Sequence, residues 1–146
     1  MLSGSPVTTE LESADPLARA KLRGVAAKRR LIELGGGTLT IKEVADLLGI
    51  TRQAVGTRRS RNRLIGLPQG RRGYVYPAFQ FERGETLTGL KEVLEALSEH
   101  DPLTQLIFFV DRHDRLNSRT PVEAMRAGQL DAVVRVASFY HEQGCA

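Results

Sequence analysis

The chain has no tryptophan, one cysteine and only 5% aromatic residues among its 146. A lone Cys145 cannot build a disulfide framework or a CxxC metal site, so a reducing, cytoplasmic location is expected. The longest strongly apolar run, Leu106 to Val110, is far shorter than the roughly 20 residues a spanning helix needs, and the N-terminus lacks an apolar signal-peptide core. Neither export nor a membrane partner is therefore expected. A further deficiency is local. Residues 52–72, RQAVGTRRSRNRLIGLPQGRR, contain no acidic residue at all, and they hold seven arginines.

Around that block the charge is unevenly spread. Residues 1–51 hold seven Lys+Arg against six Asp+Glu, and residues 73–146 hold seven against eleven. The net +4 is thus the sum of +1, +7 and −4. A basic stretch beside an acidic half points to two jobs, with the basic stretch suited to a polyanion.

Four segments are expected. Residues 1–14 form a disordered tail, 15–37 an N-terminal helix with a glycine linker, 38–84 a DNA-binding unit, and 85–146 a helical unit for partner binding and dimerisation. Asp15 caps the first helix ahead of Pro16, and Leu22, Val25, Ala26, Arg29 and Ile32 share one stripe until Gly35–Gly37. The triple glycine lacks the GK[ST] ending of a phosphate loop, which argues against nucleotide binding.

Thr40 and Glu43 form a T-x-x-E capping box for a helix over Ile41–Leu48, with Val44, Ala45, Leu47 and Leu48 inward. Gly49 ends that helix, Ile50 plugs the turn, and Thr51 caps a second helix whose Ala54 and Val55 face the first. Leu64, Ile65 and Leu67, a turn from Pro68 to Gly73, and Tyr74–Tyr76 then read as a β-hairpin, or wing, with Arg71 and Arg72 at its tip. Residues 77–86 bridge to the second half. There Leu87, Leu90, Val93, Leu94 and Leu97 make one stripe, Asp101-Pro102 and Thr120-Pro121 start two more helices, Gly128 ends the latter, and Leu130, Val133, Val134, Ala137 and Tyr140 mark a last one. The expected fold class is mainly α: an N-terminal winged helix-turn-helix with a short β-hairpin, followed by an all-α C-terminal part.

On this reading double-stranded operator DNA is the partner of Thr51, Arg52, Gln53, Thr57, Arg58, Arg59, Ser60, Arg61, Arg63, Arg71 and Arg72. Arginine can pair bidentately with guanine and glutamine with adenine, so Arg52 and Gln53 are expected to read bases. Thr51, Thr57 and Ser60 suit phosphate oxygens, and Arg59, Arg61 and Arg63 position the protein. Two positions depart from the usual motif. Arg58 stands where an apolar residue normally packs, so its stem is expected to cover the core while its guanidinium reaches the backbone. Gly56, in mid-helix, costs about 1 kcal/mol relative to alanine, and both close approach to DNA and simple tolerance account for it.

The stretch DPLTQLIFFVDRHDRLNSRTPVEAMRAGQLDAVVRVASF, residues 101–139, resembles the C-terminal toxin-binding domain of the Xre/MbcA/ParS antitoxin family. Its marks are Asp101-Pro102 with Gln105-Leu106 and Phe108-Phe109, Arg119-Thr120-Pro121 with Glu123-Ala124, and Gly128 before Asp131-Ala132-Val133. The resemblance implies a dimeric type II antitoxin that neutralises a RES-domain toxin acting on NAD and represses its own operon. It also implies a blocking segment at the chain end: Tyr140, His141, Glu142, Gln143, Gly144, Cys145 and Ala146. Residues 38–77 look closer to a MerR- or excisionase-like reader than to the Cro-like domain of many relatives. A free-standing dimeric transcription regulator without a toxin is the alternative, in which Phe108, Phe109 and Val110 only fill a core.

No enzyme is expected. Asp111, Arg112, His113 and Asp114 are the only clustered catalytic types, and no partner at metal-ligand spacing accompanies them, so a charged loop accounts for them. Nothing near Cys145 would depress its pKa. Neither a catalytic site, a metal nor a cofactor is expected.

Overall fold

A computed structural model describes residues 16–141. It is mainly helical, with seven α-helices and two small antiparallel sheets among the described residues. Residues 1–15 and 142–146 lie outside that range, and with them the expected tail at 1–14, the expected Asp15 cap of the first helix and most of the expected blocking segment.

Helix α1 (Pro16–Leu34) ends at the glycines, which form a hydrogen-bonded turn. The Gly35 and Gly37 carbonyls accept from the Phe79 and Ala78 amides at 3.0 and 2.9 Å. Next come β1 (Thr38–Thr40), α2 (Ile41–Leu48) and α3 (Arg52–Ser60). The local signals for α2 and α3 hold. Thr40 Oγ1 accepts from the Glu43 amide at 3.1 Å while Glu43 Oε1 accepts from the Thr40 amide at 2.8 Å. Gly49, at φ 70°, closes α2 in the left-handed conformation, and Thr51 caps α3 through the Ala54 amide at 3.0 Å.

The expected hairpin is part of a three-stranded sheet in which β3 (Tyr74–Pro77) lies between β1 and β2 (Leu67–Pro68). Leu39 faces Tyr76, and Leu67 faces Val75. Two sequence expectations change here. Leu64 and Ile65 are not strand but fully buried loop, and Pro68 belongs to β2, so the turn narrows to a 3₁₀ turn over Gly70–Arg72. The third strand was invisible because Thr38–Thr40 is short and half polar, and its pairing with β3 bridges more than 30 residues of chain. Leu47, expected inward, is exposed on α2 beside the buried Val44 and Ala45. An error in facing arises readily where two adjacent leucines end a helix, because neighbours lie about 100° apart and only Leu48 packs on the core.

A second hairpin, β4 (Phe81–Glu82) with β5 (Glu85–Thr86), straddles the expected 84/85 boundary. Then follow α4 (Leu90–Ala96), α5 (Pro102–Val110), α6 (Pro121–Arg126) and α7 (Leu130–Ser138). Asp101 caps α5 and Thr120 with Glu123 forms a second capping box. Leu87, Leu90, Val93, Leu94 and Leu97 are all buried, as their stripe required. One hydrophobic core runs from Val44, Val55 and Tyr76 through Phe79 and Phe81 to Phe108, Phe109, Val133 and Ala137. The basic and acidic halves therefore share their interior.

Candidate nucleic-acid interface

Val55 is wholly buried, and it holds α3 against the body so that the opposite side of the helix faces out. Thr51, Arg52, Gln53, Thr57, Arg58, Ser60, Arg61 and Arg63 are all exposed, as are Arg71 and Arg72 on the turn between β2 and β3. A concavity of about 420 Å³ lined by Thr51, Gln53, Ala54, Thr57 and Arg58 opens on that side. A Cβ added at Gly56 would meet nothing within 4 Å, so the glycine relieves no clash inside the protein. Ser60 turns its hydroxyl back to the Thr57 carbonyl at 3.0 Å.

Arg59 differs from the other arginines. Its guanidinium lies 3.7 Å from the centre of the Tyr74 ring, and its Nε is buried next to the buried Tyr76 hydroxyl. Burial pushes the Tyr76 pKa above its ordinary value, against the opposing pull of the Arg59 charge. Gly66 makes room for this side chain, since a Cβ there would fall 2.5 Å from Arg59 Cδ. The arginine expected to cover the core was Arg58; the one that does so is Arg59. Arg58 is exposed, and Arg59 joins the end of α3 to the central strand β3. The tyrosines at positions 74 and 76 could have signalled this, because an aromatic strand residue is a natural bed for a guanidinium.

Sequence reasoning also missed three polar residues that anchor this surface. Gln80, wholly buried, accepts from the Ile65 amide at 2.6 Å and donates to the Ile65 and Pro77 carbonyls at 2.9 and 3.1 Å. Asn62, just beyond α3 with φ 59°, donates to the Leu94 carbonyl at 2.8 Å and accepts from Gln105 at 3.0 Å. Gln105 also donates to the Leu97 carbonyl at 3.0 Å. The end of α3 is thereby tied to α4 and α5 by hydrogen bonds in a largely buried setting, where unmade bonds are costly.

Of the expected blocking segment, Tyr140 and His141 are described. Tyr140 packs edge-on to Phe108 and His100, with ring centres 5.0 and 5.4 Å apart, and its carbonyl accepts from His100 Nε2 at 3.1 Å. Phe139, one residue earlier, is 67% exposed. Phe108 and Phe109 are fully buried core residues. Asp111–Asp114 form part of a surface loop in which Arg112 donates to the Ser118 carbonyl at 2.9 Å. Among the described residues no group of three His, Cys, Asp or Glu side chains could hold a metal ion, and no helix is long and apolar enough to cross a membrane.

The fold is thus mainly helical with a small antiparallel sheet, and the candidate surface combines one helix with one hairpin turn. It is similar to the fold in the NMR structure of Rv2175c, with a TM-score of 0.60 and 23% identity over 69% of this chain and 78% of that one. No protein-family model and no curated protein sequence matches the chain.

Proposed function

We propose that this chain is a DNA-binding regulator in which α2, α3 and the β2–β3 hairpin act as a winged helix-turn-helix. The observation that carries the reading is electrostatic. Among the described residues, none of the seven arginines between positions 52 and 72 takes part in an ion pair, and six of them are exposed. Unneutralised guanidinium groups on one helix and on the adjoining hairpin turn suit two stretches of phosphate backbone. Arg52 and Gln53, at the start of α3, read base edges; Arg61, Arg63, Arg71 and Arg72 hold the backbone. Arg59 acts indirectly, by fixing the hairpin relative to α3.

The test uses a duplex enriched from a random pool on the full chain. Arg52→Ala should relax preference at one base pair and cost about 1–3 kcal/mol, whereas Arg63→Ala should weaken all sequences alike and lower the salt slope by about one unit. Parent-like behaviour of both variants would remove the reading.

A second reading adds a protein partner. The exposed Phe139, at the end of α7, is an apolar anchor immediately before Tyr140, where the segment to which the antitoxin resemblance assigns toxin contact begins. On that reading the protein is the antitoxin of a RES-type toxin, represses its own operon as a dimer, and uses its chain end as the blocking segment.

A further inference from the structure

Helix α3 has one fully buried side chain, Val55. Its other positions are exposed or only partly covered, so they bring little apolar area to the core. A single buried contact fixes a point on a helix and leaves the direction of its axis to be set elsewhere.

The second fixture lies just past the helix end. Asn62 takes φ 59°, a left-handed conformation that asparagine adopts more readily than most residues, and its backbone amide donates to the Arg59 carbonyl at 3.0 Å. Its side chain donates to the Leu94 carbonyl on α4 and accepts from Gln105 Nε2 on α5. Gln105 Nε2 donates also to the Leu97 carbonyl, which in turn accepts from the His100 amide at 2.9 Å. Both hydrogens of that side-chain amide are thus engaged, and its orientation is set. Gln80 fastens the chain again three residues on, through both backbone groups of Ile65.

The leverage is considerable. At about 1.5 Å rise per residue, Arg52 lies about 4.5 Å along the axis from Val55 and the far end of α3 about 7.5 Å. Pivoting on Val55, a shift of about 1 Å at the far end moves the start of the helix by about 0.6 Å, more than the roughly 0.5 Å that a binding constellation tolerates. A bidentate contact from Arg52 therefore depends on where Asn62 is held.

We infer that Asn62 and Gln105 are positioning residues for base reading, which set the axis of α3 and so aim Arg52 and Gln53. The inference rests on the DNA reading proposed above and deepens it: discrimination between bases depends on two uncharged residues, one of them within the acidic half. Gln105 is 3% exposed, so it acts on a duplex only through Asn62 and the helix.

The experiment measures binding of the full chain to a pool-enriched duplex and to the same duplex changed at the base pair that Arg52 selects, at several salt concentrations and at a temperature where every variant is folded. In Asn62→Gly, which keeps the left-handed backbone without steric cost, the preference for the enriched duplex should fall about tenfold while the salt slope stays at the parent value. Gln105→Leu should lower that preference by a smaller factor, because the bond from Asn62 to Leu94 remains. Val133→Ala, which opens a cavity in the core at α7, should lower the melting temperature and leave the preference intact. Parent-like preference in Asn62→Gly or in Gln105→Leu overturns the role of that residue and leaves the DNA reading standing. An equal loss in Val133→Ala overturns both roles and assigns the effect to lost stability. A reduced salt slope in either tie variant overturns positioning in favour of a lost phosphate contact. A parent that prefers no duplex overturns the DNA reading itself, and the inference with it.

Discussion

The arginines of the two halves are used differently. In the second half Arg126 pairs with Glu82 at 3.0 Å, Arg112 lies 3.5 Å from Glu123, and Arg119 donates to the Leu116 carbonyl and to Gln129. Those three of the half's six arginines find partners within the protein, whereas Arg83, Arg115 and Arg135 form no ion pair among the described residues. In the 52–72 block no ion pair forms among the described residues, and only Arg59 packs inward, on aromatic rings rather than on a carboxylate. A cluster of unpaired cations raises the local positive potential, and the proposed DNA reading rests on that cluster.

The halves nonetheless share one hydrophobic core, and the largest expected effect tests whether they unfold together. Phe108→Ala, deep in the acidic half, should cost about 3–5 kcal/mol because it empties a fully buried ring site. If the core is continuous, thermal melts in a Tyr140→Phe background, followed by far-UV circular dichroism and by the fluorescence of the remaining Tyr74 and Tyr76, should shift together. Separate transitions would show two independently folding halves, as the expected boundary at 84/85 implies.

A smaller effect is expected at the polar tie between them. Gln105→Leu removes the donor to Asn62 and to the Leu97 carbonyl and should cost about 1–3 kcal/mol. Paired with Asn62→Ala in a double-mutant cycle, it should show coupling, measured by urea denaturation. Strict additivity would mean that α3 is not fastened to the helical half at this point.

The smallest effect concerns the start of α5. The Thr104 amide donates to Asp101 and holds its carboxyl below the ordinary carboxylate range, against slight burial and with help from His100. A depressed folded-state pKa stabilises above the unfolded value, and that stabilisation is lost as pH falls through the folded value. Asp101→Ala should therefore cost about 1 kcal/mol at neutral pH. The gap from the parent should narrow once the pH drops below the ordinary aspartate range. A gap constant across the acid range would show that the charge of the cap is immaterial.

Sequence alone determined what is local. Thr40–Glu43, Gly49, Thr51, Asp101 and Thr120–Glu123 all hold as caps because each satisfies its own helix end within three or four residues. The leucine stripe from Leu87 to Leu97 and the exposure of most of the expected DNA-facing side chains followed from periodicity, which needs no knowledge of neighbours. Tertiary structure decided what depends on distant chain meeting. It turned Leu47 outward, paired β1 with β3, carried one core across the expected boundary, and brought Gln80 to Ile65 and Gln105 to Asn62. It also separated Arg58 from Arg59, neighbours of identical chemistry. Only the second lies over Gly66 and against Tyr74, because the chain returns there through β3.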